Sequence, residues 1–265
     1  MNNIIVLKSP DSNSIVKIEN GELISYKISN EEIMHQKGQS GWRNTDTEMF
    51  PIIGPTEANN FVVSTPKGNY NQDQHGLLRE LHYSPENITE NSGSFIKKYA
   101  AYTAIENSKF PEKSPVKLLS WPYNFSFKKV FVLTNTSLTI SFEVDAKEDM
   151  PFMLGYHPAF KLSGNKTEII RSKNSDISIP KIMDQGSIAL AELNTSEITL
   201  LKEKGLNVSI KTVGFNNFML WTEVPNMVCI EPITAYPYTK GELLSSDLFN
   251  ISKGTTIFNV KITPN

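Results

Sequence analysis

The stretch FSFKKVFVLT (residues 125–134), NTS (135–137) and LTISFEV (138–144) decides the class of fold. Both long halves are rich in β-branched and aromatic residues, which suit a pleated, half-buried surface. The second half alternates strictly, with Leu138, Ile140, Phe142 and Val144 on one face of an extended chain. The connecting Asn135-Thr136 is short and turn-compatible, so the segment reads as an antiparallel hairpin. Outward from it, similar runs recur at residues 4–7, 14–18, 23–28, 61–63, 116–120, 207–213, 218–221, 227–230 and 256–262. Turn clusters separate them, among them Asn20-Gly21, Pro66-Lys67-Gly68-Asn69 and Ser252-Lys253-Gly254. No run is followed by a regular helical pattern of about 10–15 residues, which argues against a βαβ arrangement. The expectation is an all-β fold, a large antiparallel β-sandwich. At most a short helical piece is expected at residues 30–36, with Asn30 as its N-cap. Residues 105–115 and 172–186 are polar and read as loops.

The chain has 265 residues with no internal repeat, low-complexity tract or Pro/Gly/Ser linker, so a single domain over residues 1–265 is expected. Lys and Arg number 26 against 28 Asp and Glu, a formal net charge of −2 without any Lys/Arg block. That balance lacks the electrostatic footprint of a nucleic-acid or anionic-membrane partner. Cys229 is the single cysteine, so no intramolecular disulfide forms and a reducing compartment is permitted. It sits in the apolar run Met227-Val228-Cys229-Ile230 and reads as an inert core thiol. The N-terminal MNNIIVLKSPDSNS has no basic region and only a short apolar run, unlike a signal peptide. No run approaches the ~20 apolar residues of a membrane span. A soluble cytoplasmic protein is expected.

Four histidines are present. His35 lies in a polar stretch and is expected at the surface; His82 reads as structural or exposed. His75, in Gln74-His75-Gly76-Leu77-Leu78-Arg79, follows a loop rich in Asn, Asp and Gln and suits projection into a cleft. His157 ends the stretch Met150-Pro151-Phe152-Met153-Leu154-Gly155-Tyr156 and is held extended by Pro158. The competing reading for both is a core histidine bonded to a backbone carbonyl. Glu231 closes the apolar run 227–230 immediately before Pro232. A carboxylate there is costly to bury unless paired. Desolvation would raise its pKa toward the range of a general base working near neutrality; an ion pair with a Lys or Arg is the alternative. Arg43 precedes the stiff segment Phe50-Pro51-Ile52-Ile53-Gly54-Pro55 and is either a cleft residue or a solvated cation. Zinc spacings, a P-loop, a dinucleotide fingerprint and a G-x-S-x-G elbow are absent from the sequence. Two histidines and a carboxylate also match a facial iron triad, which keeps a metal enzyme built on His75, His157 and Glu231 as an alternative.

Taken in order, Arg43 with residues 50–54, the Gln74–Arg79 segment, Met150-Pro151-Phe152 leading to Gly155-Tyr156-His157-Pro158-Ala159-Phe160, and Cys229-Ile230-Glu231-Pro232 resemble the aldose 1-epimerase (galactose mutarotase) family. The spread is similar to a bacterial epimerase-like subgroup that includes a lactose-operon accessory protein. The resemblance implies a β-sandwich with a shallow cleft across one sheet, no cofactor and no metal. It implies a small-molecule sugar partner, a hexose or hexose phosphate, whose α and β anomers interconvert by acid/base ring opening. Carried over residue by residue, Glu231 is the base, His157 the acid, His75 the second cleft histidine, and Arg43 the contact to sugar hydroxyls. Galactose-specific members place an Asp near residues 215–218; here Asn216 or Asn217 stands in, with Asp73 a second option. Trp42, Tyr156, Trp221 and Tyr236 are candidates for the aromatic under the sugar. The expected pH profile is a bell whose acidic limb belongs to Glu231 and whose basic limb belongs to His157. Two other functions fit the same residues: a hexose 6-phosphate mutarotase with Arg43 or Arg79 on the phosphate, and a carbohydrate-binding protein without catalysis.

Overall fold

In the computed structural model, which describes residues 4–41, 46–147, 149–238 and 244–265, the alternation at 125–144 becomes two nine-residue strands. Phe125–Leu133 and Leu138–Ala146 pair antiparallel without a break, from Phe125 opposite Ala146 to Leu133 opposite Leu138. The amide of Thr134 donates to the Ser137 carbonyl at 2.9 Å, which places Asn135-Thr136 at the tip. Every second side chain of both strands is buried. Each fully buried large apolar side chain contributes about 1.5–3 kcal/mol, so the pattern fixes which face turns inward.

This hairpin lies in a nine-stranded antiparallel sheet. Its order is Asp176–Ser178, Ile169–Ser172, Glu197–Leu201, Val208–Val213, Gly254–Pro264, Leu138–Ala146, Phe125–Leu133, Ser92–Tyr99 and Ser84–Ile88. A second sheet runs Leu190–Glu192, Asn217–Trp221, Met227–Ile233, Gly155–His157 and Thr47–Met49, with Ala159–Lys161 also paired to Met227–Ile233. The inner faces meet through aromatic contacts: Phe142 of the first sheet lies 5.0 Å from Tyr156 of the second, ring centre to ring centre. A four-stranded sheet formed by residues 4–32 adds Leu7, Val16, Ile18, Leu23 and Tyr26 to the same core. The β-sandwich expectation holds, and the strand runs fall where the sequence places them. Among the described residues no helix is long and apolar enough to cross a membrane.

Three local expectations are corrected. Residues 30–36 are not helical: Glu31–Glu32 pairs back onto Lys27 and Ile28. Ser29 and Asn30 take φ of 46° and 73°, a tight turn that a helix N-cap cannot adopt. His35 is buried rather than exposed, its backbone amide bonded to the Ala159 carbonyl at 2.9 Å and its Nε2 3.0 Å from the Ser40 carbonyl. The segments expected as loops carry short elements. Ile105–Glu106 pairs with Leu118–Leu119, and Ile179–Met183 is a one-turn α-helix with Ser178 as N-cap and a proline in its first turn.

Candidate active site

The central strand of the second sheet, Met227–Ile233, carries Glu231. Opposite it Gly155 pairs with Ile233 and Ala159 with Cys229. His157 and Glu231 fall midway between these rungs and so are cross-strand neighbours on one face. Pro158 has no N–H to give, and the pairing lapses beside it. On the other flank Met219 lies opposite Glu231 and Trp221 opposite Cys229. Side-chain alternation therefore sends Gly155, His157, Ala159, Met219, Trp221, Cys229 and Glu231 to the outer face. Tyr156, Phe160, Phe218, Leu220, Val228 and Ile230 belong to the core between the sheets. His157 Nε2 stands 3.4 Å from Glu231 Oε1, with the two side chains 13% and 2% exposed.

His75 reaches the same place from a turn. Its backbone amide and its Nδ1–H both donate to the Ile53 carbonyl, at 3.0 and 2.9 Å. The second bond fixes the tautomer and leaves Nε2 as an acceptor. His75 and Gly76 take φ of 75° and 70°, in the left-handed region. The turn is braced by Asp73, which accepts from the Gln74 amide (2.6 Å), Asn107 Nδ2 (2.7 Å) and Lys109 Nζ (3.0 Å). Arg79 also donates to the Gln74 carbonyl. The His75 and His157 rings meet edge to face with centres 5.6 Å apart.

Gly76 holds this turn against the 50–54 segment. A Cβ there would lie 2.2 Å from the Phe50 carbonyl oxygen. Gly76→Ala is therefore expected to displace His75 and to destabilise the chain by more than the ~1–2 kcal/mol of the left-handed conformation itself. Thermal unfolding checks the stability, and the ring resonances of His75 check the displacement; an unchanged melting temperature would contradict it.

The three side chains face a cleft of about 290 Å³, at the small end of ligand sites. Its floor is Met219, Trp221, His157 and Glu231, and its walls include Ile53, Gly54, Gln74, Ser187, Ala189, Glu223, Pro237 and Tyr238. The Trp221 ring stands 6.3 Å from that of His157. Asn217, Tyr156, Asp73, Arg79 and Tyr236 are not among the lining residues. Asn217 donates from Nδ2 to the Thr234 carbonyl (3.2 Å) and accepts from the Asn194 amide (3.1 Å), so its carboxamide ties strand ends together. Tyr156 faces the core, and the Tyr236 hydroxyl donates to the Ala189 carbonyl at 3.0 Å. Trp42 and Arg43 lie outside the described residues. Sequence reasoning missed Ser187, Glu223 and Tyr238. Glu223 stands two residues after Trp221, a spacing that could have drawn attention to it.

Burial dominates the electrostatics. It pushes the Glu231 carboxyl well above the ordinary carboxylate range. Burial, with the Arg79 charge adding to it, brings His157 down to about 4. Burial first, then the positive charge of Arg79, pulls His75 well below the usual imidazole value. Burial thus disfavours the charged form of all three groups. A carboxyl and an imidazole in contact and open to a cleft can give a proton at one atom and take one at another.

The comparisons with known proteins agree with this architecture. The sequence profile of aldose 1-epimerase matches residues 21–231. A galactose mutarotase related enzyme from Lactobacillus acidophilus superposes with a TM-score of 0.75 at 21% identity, covering 99% of this chain and 97% of that one. A galactose mutarotase-like protein from Lactobacillus casei gives 0.79 at 17% identity, covering 99% and 100%. One from Clostridium acetobutylicum gives 0.71 at 13% identity, covering 100% and 95%. No curated protein matches the chain in sequence. The structures share the fold; the profile, which spans most of the chain, shows the lineage: this protein belongs to the aldose 1-epimerase family.

Proposed function

We propose that the protein is a mutarotase that interconverts the α and β anomers of a free hexose in the cleft above Glu231 and His157. The observation that carries this reading is the contact between the Glu231 carboxyl and the His157 imidazole on the floor of a sugar-sized cleft, with His75 at its edge. Opening the hemiacetal requires a base at the C1 hydroxyl and an acid at the ring oxygen. Glu231 takes the first proton and His157 gives the second; rotation about C1–C2 and closure return both. One proton on the pair suffices for the cycle. In the empty cleft that proton resides on Glu231, so its passage to His157 belongs to substrate binding. His75, with Nδ1–H committed to Ile53, orients the sugar by accepting a hydroxyl proton at Nε2. Trp221 offers a face to the apolar side of the ring.

The pKa directions exchange the two limbs of the expected pH profile. The acidic limb marks a second proton joining the pair at His157, and the basic limb marks the last proton leaving Glu231. The described lining carries the carboxyls of Glu223 and Glu231 and no lysine or arginine, which favours a neutral hexose over a phosphate ester.

Exchange spectroscopy or polarimetry on freshly dissolved aldoses and their 6-phosphates tests this. His157→Asn is expected to lower kcat by about 10²–10⁴-fold, the usual size of a proton-transfer contribution, with little change in KM. His75→Asn is expected to lower kcat and raise KM together. Exchange unaffected by either variant would make the cleft a binding site only. Faster exchange of the phosphate esters would move the assignment to hexose phosphates.

A further inference from the structure

A third donor lies beside the acid/base pair. Cys229 precedes Glu231 by two residues on the same strand, so both point to one face, and His157 is their neighbour across the sheet. The Cys229 Sγ, a His157 nitrogen and a Glu231 carboxylate oxygen all lie within 4.8 Å of one another. The His157 Nε2–Glu231 Oε1 distance of 3.4 Å is long for a charge-assisted hydrogen bond, about 2.7–2.9 Å. It equals the edge of a tetrahedron drawn with zinc–nitrogen and zinc–oxygen bonds of about 2.1 Å, which is ~3.4 Å. Such an edge to Sγ is ~3.6 Å, so closing the site from separations within 4.8 Å takes a shift of at most about an ångström.

We propose that His157, Cys229 and Glu231 form a binding site for a thiophilic divalent cation of the zinc class, and that its occupancy switches off the acid/base pair. The consequence rests on the mutarotase reading; the coordination chemistry does not. A thiolate, an imidazole and a carboxylate select zinc-like ions over magnesium or calcium. One thiolate and one carboxylate cancel the charge of the cation, so the occupied site adds no net charge to a buried place. The thiol proton and the proton held between Glu231 and His157 both leave to solvent on binding, and no oxidation or reduction takes place. The fourth position opens toward the cleft, where a water or sugar hydroxyl completes the tetrahedron. With the imidazole lone pair and the carboxylate held by the cation, neither takes nor gives a proton.

The test uses the full chain, freed of metal by chelation, and ZnCl₂ and CoCl₂ as probes. Calorimetry is expected to show one zinc per chain. Cobalt is expected to show thiolate-to-metal charge-transfer absorption in the near ultraviolet, which requires a sulfur ligand. Cys229→Ala is expected to abolish the absorption and to weaken zinc binding more than tenfold, since even outer partners of ligands are worth about 10–100-fold. Cys229→Ser serves as a second variant, and unfolding curves establish that each is folded. Stoichiometric zinc is expected to suppress anomer exchange, and chelation to restore it. Absence of stoichiometric binding, or binding that survives Cys229→Ala undiminished, overturns the site. Exchange that requires the cation overturns the switching-off. Binding in a metal-free protein that exchanges no sugar refutes the mutarotase reading and leaves the site standing.

Discussion

Glu231→Gln is expected to cut anomer exchange to about a hundredth or less of the wild-type rate, the lower end of a general acid/base contribution, and to raise the melting temperature at pH 8. The amide keeps the shape of the side chain and loses the titrating proton. Glu231 is 1% exposed, its cross-strand partner Met219 is apolar, and the His157 imidazole is in contact with it. Burial holds its carboxyl well above the ordinary range. In the unfolded chain the same carboxyl ionises at about 4.3. Between that value and the folded one the unfolded state has given up a proton that the folded state keeps, so folding stability falls as pH rises through this window. Glutamine has no proton to lose. The advantage of the variant is therefore present at pH 8 and absent at about pH 3, where both states of the wild type are protonated. Chelator present throughout keeps the comparison free of bound cation. An equal melting temperature at pH 8 would mean that the carboxyl carries no desolvation burden; near-normal exchange would mean that Glu231 is not the base.

That the proposed base should also be a source of instability explains why it was visible in sequence at all. A carboxylate closing an apolar strand violates the strand's own pattern, and so does an imidazole locked before a proline. The hairpin at 125–144 was legible for the opposite reason: its period of two agrees with its burial at every position of the second strand. What stayed hidden depends on distant partners. His35 is buried because the strand at 159–161, more than 120 residues on, bridges to it. Asn217 looks like a sugar ligand until Asn194 and Thr234 occupy its carboxamide. Tyr156 is a different case: as the immediate neighbour of His157 on a strand, it points to the opposite face, and parity alone removes it from the cleft. The clearest unread signal is Lys129. It occupies an inward position between Phe127 and Phe131, where a charge demands buried partners.

Lys129→Met is expected to destabilise the protein by about 3–5 kcal/mol at pH 7.5, the cost of breaking a buried ion pair by removing one partner. The Lys129 ammonium lies 2.7 Å from both Asp46 Oδ2 and Glu48 Oε1, and all three side chains are at most 2% exposed. Asp46 Oδ2 also accepts from the Tyr156 hydroxyl at 2.6 Å, and Asp46 Oδ1 from the Leu23 amide at 2.5 Å. Lys129 belongs to the nine-stranded sheet, while Glu48 and Tyr156 are opposite each other in the sheet that bears the cleft. The cluster thus joins the two layers directly beneath the strand of His157. Without Lys129 the nearest remaining cation among the described residues is Lys97, 4.0 Å from Glu48. Burial already holds the Asp46 carboxyl up at about 6 despite Lys129, and its loss drives that carboxyl further toward protonation. The penalty should therefore shrink at pH 5, where Asp46 takes a proton, and should largely vanish in a triple variant that adds Asp46→Asn and Glu48→Gln. Urea unfolding at both pH values makes the comparison. A penalty equal at pH 5 and pH 7.5, and undiminished in the triple variant, would show that Lys129 acts through the packing of its aliphatic chain and not through its charge. If the charge is what matters, His157 in the triple variant keeps its place opposite Glu231. Anomer exchange then recovers along with stability, because the cluster serves the cleft by fixing the strand beneath it.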